Sequence, residues 1–517
     1  MRLELGGDWS SLVVTAMLGC ERSFVMPALP AELSPLADEG DAPEQRLLEH
    51  AALLSPWSLA GYLPQPGSCD HAASAADTQR PANSIAAVLA PEYQDLLPEW
   101  CAAAARANCR VPHHLLPEFL DRMAAEKSPA MVAAMRAVLG ARGQWLALLN
   151  PDWRGAAPPA DARIVWEAGT RSERIALLQQ LRANDPALAR TLIASTLETD
   201  EPDDVAACLA PLATGLTPQD HDFLEGLLDA RNKPVRSAAA RLLAALPQSA
   251  RGDRLVQWLA AHVRFAPGSA GFFKKGRGAI EVTIADNEDA IVAKALTRDG
   301  IESAKKRGKL GAKAHTLLQV VAGIPLAWFA THWQAKPAEL IDAALGGEWA
   351  EAMLFGWSEA AVSQRDPEWA EALLLTFTDK AGAIAGGLEG AGLGGLLRLL
   401  APDARERFLA KLLGDRPAAI HEAGMHQLLK AADHAWSAAF SRDFLKIVRS
   451  HYLKETSWDL RAQMKRLAAN LSIQSAAGIR EGWPTEAAQW TAADNEMLER
   501  LAATLELRSN YLQELTP

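Results

Sequence analysis

The sequence predicts an all-α protein whose helices follow one another as an α-solenoid. Three observations predict it: the composition favours helices, apolar residues recur at helical spacing through most of the chain, and prolines mark helix starts at a regular interval. Ala and Leu fill whole stretches of the 517 residues, whereas aromatic residues make up only 6%. Because 49% of the residues are hydrophobic, the chain can bury a core, which excludes a disordered or fibrous protein.

Charge and cysteine content narrow the classes of function. The 52 Lys and Arg against 63 Asp and Glu give a net charge of −11, which argues against a protein whose whole surface follows phosphate backbones. The five cysteines lack the Cys-x-x-Cys spacing of a zinc site and do not indicate a disulfide framework. We recognise no signal peptide and no uncharged apolar stretch of membrane-spanning length, so we expect a cytoplasmic protein that does not bind membranes.

Apolar periodicity divides the chain into five segments. Residues 1–63 are predicted to form an N-terminal helical segment. Residues 64–90 are rich in Pro, Ser, Ala and Asp, which predicts an exposed loop or linker. Helical patterning resumes over residues 91–264, is interrupted over residues 265–313, and returns over residues 314–517.

Regularly spaced prolines define the first helical block. Four prolines stand 16 residues apart, and each opens an apolar run: Pro186, Pro202, Pro218 and Pro234. Proline is favoured at the first helical position, where its missing N–H would have had no partner. The residues before them are the expected N-caps: Asp185, Glu201, Thr217 and Lys233. One step earlier along the chain, Thr170 and Glu173 have the spacing of a capping box.

Two helices per unit give a repeat of 32 residues. This period is close to those of tetratricopeptide and ankyrin repeats, but their consensus residues are missing. Residues 227–246, LLDARNKPVRSAAARLLAAL, look instead like the second helix of a HEAT-type repeat. We therefore predict a solenoid of HEAT-like helical hairpins, which presents a long concave face because each repeat contacts only its neighbours.

The interruption at residues 265–313 differs in composition and in charge. It is rich in Gly, and its AIEVTI run alternates as a short strand does, so we expect an irregular insertion or a β-hairpin. Residues 264–313 hold 11 Lys and Arg against 6 Asp and Glu, a net charge of +5 in an acidic chain. In the helical block that follows, tryptophans are expected to fill gaps between Ala-rich helices.

Long runs of the sequence resemble a bacterial family of unknown function with HEAT-like repeats. The runs are GQWLALLNPDW (143–153), WEAGTRSERIALLQQLRANDPA (166–187) and ATGLTPQDHDFLEGLLDARNKPVRSAAARLLAALP (213–247). The shorter AMLGCERSF and GIPLAWF are similar to other segments of that family. The resemblance implies a gene encoded beside SWIM zinc-finger proteins, MoxR-type AAA ATPases and proteins with von Willebrand A domains, and implies these as protein partners. It brings no catalytic residues.

Polar and aromatic side chains just before the repeats form a candidate pocket. They are Asp152, Trp153, Trp166 and Glu167, joined by Arg171. Clustered polar groups mark functional sites in some proteins, so an enzyme acting here is one interpretation. The other is structural: Asn-Pro-Asp makes a turn, Thr170 caps a helix, and Trp166 packs beneath it.

Basic residues are the candidates for partner binding. On the helices between residues 171 and 246 they are Arg171, Arg236 and Arg241. In the insertion they are Lys274, Lys275, Arg277, Lys305, Lys306 and Arg307. Phe272 and Phe273 precede the first of these, so cations and stacking faces coexist as a nucleic-acid groove requires. Because the whole chain is acidic, we favour docking of an acidic protein surface over nucleic acid.

The other motifs indicate no cofactor, metal or catalytic residue. Residues 390–395 match Gly-x-Gly-x-x-Gly, but no β-branched strand precedes them, so a flexible interhelical loop explains them better. His421 and His426 are five residues apart, whereas two zinc ligands on one helical face are four apart. The sequence therefore predicts a non-enzymatic scaffold or adaptor for protein partners. The alternatives are a nucleic-acid-binding protein that uses the insertion and an enzyme with a site near Asp152, Glu167 and Arg171.

Overall fold

Helices form nearly all the regular structure, so the chain is all-α as the sequence predicts. The computed structural model describes residues 7–20, 29, 33–37, 42–60, 79–126, 128–150, 152–153, 162–268, 278–285, 290–302, 311–379, 391–453 and 458–516. The chain divides into two units, Met1–Ala73 and Ser74–Pro517.

The first unit contains two described helices, α1 (Gly7–Leu18) and α2 (Pro43–Ala60). Leu12, Leu33 and Leu54 are buried together between them. On α1 the neighbouring Val13 and Met17 are exposed. The core of this unit is therefore small in the part that the structure describes.

The second unit begins with short elements. They are β1 (Arg80–Pro81), α3 (Ile85–Val88), α4 (Leu97–Arg106), β2 (Cys109–Arg110), α5 (Leu116–Ala125), α6 (Pro129–Ala137) and α7 (Gly140–Leu149). Strands β1 and β2 pair in parallel, with Arg80 opposite Cys109. The linker predicted over residues 64–90 differs from the structure at its end. Residues 79–90 contain β1 and α3, and Ala82, Ile85 and Val88 are buried in the hydrophobic core.

The helices predicted from the 16-residue proline interval are present. This part contains α8 (Ala162–Ala168), α9 (Arg171–Asn184), α10 (Pro186–Thr196), α11 (Pro202–Leu209), α12 (His221–Leu227), α13 (Lys233–Ala244) and α14 (Ala250–His262). Pro218 begins a short 3-10 turn that continues into α12.

The predicted helix caps are correct except at one position. The Thr170–Glu173 capping box forms, with Thr170 N–H donating to Glu173 Oε2 at 2.6 Å. The Asp185 carboxylate accepts the Leu188 N–H at 3.0 Å. Lys233 is not an N-cap, because α13 begins at Lys233 and Asn232 precedes it.

The insertion contains more regular structure than the sequence predicts. Strands β3 (Val263–Ala266) and β4 (Ala279–Val282) form an antiparallel pair, with Val263 opposite Val282, and β4 falls in the AIEVTI run. Helix α15 (Ala290–Arg298) follows, where an irregular segment was expected. Leu296 of α15 is buried in the hydrophobic cluster that spans residues 255–505, and this burial favours a helix here.

Helices joined by turns make up the regular structure of the C-terminal block among its described residues. It contains α16 (Ala312–Gly323), α17 (Leu326–Trp333), α18 (Pro337–Leu345), α19 (Ala350–Gln364), α20 (Pro367–Asp379), α21 (Ala391–Leu399), α22 (Pro402–Asp415), α23 (Ala423–Ala431), α24 (Ala438–His451), α25 (Trp458–Leu467) and α26 (Ala492–Glu514). In the described chain no single helix is long and apolar enough to cross a bilayer. The consecutive pair α16 and α17 meets that length and composition together, but it is bent by 94°.

Three hydrophobic clusters form the core of the second unit. Cluster A spans residues 82–147 and includes Tyr511 and Leu515 of α26. Cluster B spans residues 166–246, and cluster C spans residues 255–505. In cluster C, Trp357 and Trp369 are buried with ring centroids 5.1 Å apart, so tryptophans fill gaps between Ala-rich helices as predicted.

Helices close in sequence pack on one another. Helix α9 contacts α10 and α11, and α11 contacts α13. Further on, α16 packs closely on α19 at Gly356, where a Cβ atom would lie 2.7 Å from Val321. The pairs α19–α21, α21–α23 and α23–α25 continue this pattern. Helix α26 contacts α25, and it also contacts α4, from which it is separated by about 400 residues of chain.

Candidate functional site

The predicted pocket residues fall in different places. Trp153 is half-buried against cluster A, and its indole N–H donates to Asp121 Oδ1 at 2.7 Å. Trp166 is 2% exposed and belongs to cluster B. Asp152 and Glu167 have exposed side chains. Of the two predicted tryptophans, Trp153 therefore packs against cluster A and Trp166 belongs to cluster B.

A cavity of about 340 Å³ lies beside Trp166. It is bounded by the start of α9 on one side and by the α10–α11 turn and α11 on the other. Its lining residues are Gly169, Arg171, Arg174, Thr199, Asp200, Glu201, Asp204 and Cys208. Arg171 was predicted as a site residue from the sequence, whereas Arg174, Asp200, Asp204 and Cys208 were missed. The acidic run Glu198–Asp204, placed two proline intervals after Arg171, was the signal that could have identified the carboxylates.

Ion pairs join the two walls of this cavity. Arg171 Nη1 lies 3.0 Å from Asp204 Oδ1, and Arg174 Nη1 lies 2.9 Å from Asp200 Oδ2. The Arg174 guanidinium also stacks over Trp166, with Cζ 5.1 Å from the ring centroid. Trp166 therefore forms the apolar support behind a wall of paired charges.

Local sequence explains the position of each wall. The Thr170 capping box fixes the first turn of α9 and so the direction of Arg171. Asp203 and Asp204 lie in the first turn of α11, where the helix dipole favours negative charge. Arg171 Nη2 also donates to the Asp203 carbonyl at 3.3 Å, a contact that spans 32 residues, the predicted repeat length.

Cys208 is the nucleophilic group that lines the cavity. Burial raises the pKa of its thiol. The nearby Arg174 and Arg171 lower this pKa, whereas Asp200 and Asp204 raise it, and the net effect is a raised pKa. At neutral pH the group is therefore a thiol rather than a thiolate, and a thiol is a poor nucleophile. The cavity can exchange hydrogen bonds and ion pairs with a polar partner.

The other predicted cations on the helices have separate positions. Arg236 Nη1 donates to the carbonyls of Ala230 and Arg231, both at 2.8 Å, and so holds the turn between α12 and α13. Arg241 is exposed on α13. The six predicted cations of the insertion lie outside the described residues: Lys274, Lys275, Arg277, Lys305, Lys306 and Arg307.

A buried ion triad supports the helices next to the cavity. Arg182 and Asp220 both have fully buried side chains, with Nη2 and Oδ2 2.9 Å apart, and Arg190 Nη1 lies 2.7 Å from Asp220 Oδ1. Burial alone would raise the pKa of Asp220, but hydrogen bonds from Arg182, the Thr217 N–H and Arg190 outweigh it and lower that pKa. Arg182 also donates to the Thr214 carbonyl at 2.9 Å, a second contact that spans 32 residues.

A second ionic network connects α12, α14 and α15. Arg254 pairs with Glu225 at 2.7 Å and with Asp299 at 2.6 Å, and Arg298 pairs with Asp229 at 2.7 Å. Hydrogen bonding to Asp229 raises the pKa of Arg298. Every charge in these pairs has an opposite partner, so the network serves to hold α15 on α12 and α14.

The glycine and histidine motifs of the C-terminal block have packing and hydrogen-bond contacts within the fold. Gly394 and Gly395 lie inside α21 rather than in the predicted loop, and a Cβ at Gly394 would lie 3.3 Å from Ala431 Cβ, so this position allows close packing of α21 on α23. His426 Nε2 lies 2.8 Å from the Ile420 carbonyl and His421 Nε2 lies 3.1 Å from the His451 carbonyl. Among the described residues, no group of three or more His, Cys, Asp or Glu could hold a metal ion.

A family model covers nearly the whole chain. The model of DUF5691, a family of unknown function, matches residues 11–515. The chain belongs to this family. No curated protein and no solved structure matches this DUF5691 chain.

Proposed function

We propose that this DUF5691 chain is a non-enzymatic scaffold or adaptor that binds protein partners along a solenoid of HEAT-like helical hairpins. The observation that carries the proposal is the side-by-side packing of α9, α11 and α13, whose alternate helices contact each other along the chain. Two contacts that span 32 residues, from Arg171 and from Arg182, support a repeat of the predicted length. Stacked repeats of this kind present an extended surface suited to a protein partner.

The binding surface in this proposal is the cavity wall formed by α9 and α11. Arg171 is half-exposed and paired with an equally accessible Asp204. An exposed ion pair contributes little to stability, so its partners are available to a docking protein at small cost. The protein partners proposed are those that the family resemblance implies: a MoxR-type AAA ATPase, a von Willebrand A protein and a SWIM zinc-finger protein of a bacterial cytoplasm.

The test measures binding of the purified full chain to the purified MoxR-type ATPase and von Willebrand A protein that the family resemblance implies as partners. Arg171→Glu reverses the charge at the proposed surface. Arg407→Glu is the matched control, because Arg407 is also an exposed arginine paired with an aspartate, Asp403, at 2.5 Å. We expect saturable binding that weakens about tenfold or more in Arg171→Glu and is unchanged in Arg407→Glu.

Two results would contradict the scaffold proposal. One is the absence of binding to each of these proteins. The other is equal weakening by both charge reversals, which indicates a general electrostatic effect. Binding of the chain to DNA or RNA, lost in a Lys274→Ala, Lys275→Ala, Arg277→Ala triple variant, would favour the nucleic-acid alternative instead.

A further inference from the structure

A histidine on α12 caps the first turn of α14. His221 Nε2 accepts the backbone N–H of Ala250, the first residue of α14, at 3.1 Å. The first N–H groups of a helix have no partners inside the helix, so other groups must accept them. Ser249 Oγ accepts the Gly252 N–H at 3.1 Å, whereas the acceptor for Ala250 comes from a position 29 residues earlier in the chain. The start of α14 is therefore joined to α12 through one imidazole nitrogen.

This hydrogen bond determines the protonation state of the ring. A backbone N–H can only donate, so Nε2 of His221 must present a lone pair and carry no proton. The single proton of the neutral ring is then on Nδ1, which lies 2.9 Å from Asp222 Oδ1 and donates to it. A doubly protonated ring can still donate to Asp222, but it cannot accept from Ala250. Only the neutral ring satisfies both contacts.

A histidine at the other end of α14 has the opposite arrangement. His262 is the last residue of α14, and its Nδ1 lies 2.7 Å from the Trp258 carbonyl oxygen. A carbonyl can only accept, so His262 donates, and a second proton on Nε2 leaves this hydrogen bond intact. The helix dipole disfavours a positive ring at the N-terminus and favours one at the C-terminus. Protonation therefore affects the two ends of this helix in different ways.

The charged groups near His221 keep their charge while an imidazole titrates. Asp222 is fully exposed and bonds to the ring. The ion pairs on α12 and on the elements beside it are Asp220 with Arg182 and Arg190, Glu225 with Arg254 and Arg298, Asp229 with Arg298, Asp299 with Arg254, and Lys233 with Glu302. Three further charged groups are exposed on α13, on α14 and in the turn before α13: Arg241, Asp253 and Arg231. Arg236 donates to the Ala230 and Arg231 carbonyls. Arg251, next to Ala250, donates to the Asp299 carbonyl, and burial lowers its pKa to about 10.

These values leave histidine as the group that changes charge near neutral pH. Carboxylates take up a proton near about pH 4, and lysine and arginine lose theirs above about pH 10. An imidazole gains its second proton between about pH 8 and about pH 5. The ring of His221 is 24% exposed, so protons from solvent reach it.

We propose that His221 is a pH-sensitive cap, which holds the first turn of α14 on α12 when its ring is neutral and releases that turn when its ring is protonated. A proton on Nε2 sets two N–H donors against each other and brings a positive charge to the positive end of the α14 dipole. The hydrogen bond is therefore complete near pH 8 and is lost as the pH falls. Ala250 lies between Leu246 of cluster B and Leu255 of cluster C, so the released turn is at the junction of the two clusters. This device goes beyond the scaffold proposal and does not require it.

The test measures hydrogen exchange of the full chain by mass spectrometry at about pH 8 and about pH 5.5. Exchange rates are divided by those of an unstructured peptide of the same sequence, so that the pH dependence of the exchange chemistry cancels. His221→Gln supplies a side-chain oxygen that accepts an N–H at both pH values, and His221→Phe supplies a ring that accepts at neither. His262→Gln is the matched control, because His262 belongs to the same helix and donates rather than accepts.

We expect the first turn of α14 in the unmodified protein to exchange about fivefold to tenfold faster at the lower pH, which is the effect of losing one hydrogen bond. The last turn of α14 should not change. His221→Gln should remove the pH difference, His221→Phe should exchange fast at both pH values, and His262→Gln should behave like the unmodified protein.

Four results would overturn the proposal. They are equal exchange of the first turn at both pH values in the unmodified protein, an unchanged pH difference in His221→Gln, slow exchange of the first turn at pH 8 in His221→Phe, and a response of the last turn as large as that of the first. The last of these would indicate a general loosening of α14 rather than the loss of its cap.

Discussion

Removal of the Asp220 carboxylate tests how much the buried ion triad contributes. Asp220 accepts hydrogen bonds from Arg182 at 3.1 and 2.9 Å, from Arg190 at 2.7 Å and from the Thr217 N–H at 3.0 Å. Asp220→Ala leaves the Arg182 guanidinium buried without a carboxylate, a change that typically costs about 3–5 kcal/mol. Arg182 keeps its bonds to the carbonyls of Thr214 and Gly215, so we expect a loss of about 3 kcal/mol, near the lower limit of that range.

Native-state hydrogen exchange is the appropriate assay, because a chain of 517 residues does not unfold in one two-state step. A loss of about 3 kcal/mol corresponds to amides in α9 and α11 exchanging about a hundredfold faster. The control is Asp222→Ala, two residues away on α12, whose side chain is fully exposed and pairs with His221. Exchange in Asp220→Ala within threefold of that in Asp222→Ala would refute the reasoning.

The same carboxylate sets a pH dependence. Hydrogen bonds hold the pKa of Asp220 below its usual value in the folded protein, so its contribution to stability is complete above the unfolded pKa of about 3.9. That contribution is lost as the pH falls through the folded pKa. Below the folded pKa, therefore, exchange in the unmodified protein and in Asp220→Ala should converge.

Three further changes test the packing and the chemistry. Gly356→Ala should destabilise the protein by about 1–3 kcal/mol, because its Cβ would lie 2.7 Å from Val321. As a control, Gly226→Ala on α12 meets nothing within 4 Å and should stabilise the protein by about 0.5 kcal/mol. Thermal denaturation ranks the stabilities of the two variants. Thr170→Ala should lower the free energy of unfolding by about 1 kcal/mol and speed hydrogen exchange in the first turn of α9. The control is Thr191→Ala, because the Thr191 hydroxyl donates to the Ala187 carbonyl within α10 and caps no helix. Burial raises the pKa of Cys101 to about 12, so at pH 7 maleimide should label Cys20 before Cys101. Mass spectrometry of the digested protein measures the labelling. Equal labelling of the two cysteines in the native state would contradict the burial of Cys101.

The sequence predicted the features that depend on neighbouring residues. Proline at the first helical position and Thr170 with Glu173 act within one turn, so the helix starts could be placed to within a residue or two. Lys233 was misassigned because Asn232 precedes it and α13 begins one residue before its proline. The glycines of α21 were taken for a loop because glycine disfavours helices, yet close packing against Ala431 requires a small residue there.

Contacts between distant segments could not be predicted. Neither Glu99 nor Arg508 belongs to a recognisable motif, and more than 400 residues separate them. Of the residues that line the cavity beside Trp166, Arg171 was named from the sequence and lies inside a visible capping box, whereas Asp200 and Asp204 come from the α10–α11 turn and from α11.

The contact between Glu514 and Asn83 brings the beginning and the end of residues 79–516 side by side. A backbone N–H at residue 83 and a side chain at residue 514 are joined by a hydrogen bond of 2.8 Å. A short peptide could therefore connect residue 516 to residue 79, and new termini could be placed between residues 153 and 162, to give a circular permutant that keeps every helix of this part in place. In such a permutant residues 79–153 become the C-terminal segment, joined covalently to the helix that they now contact through hydrogen bonds and packing alone.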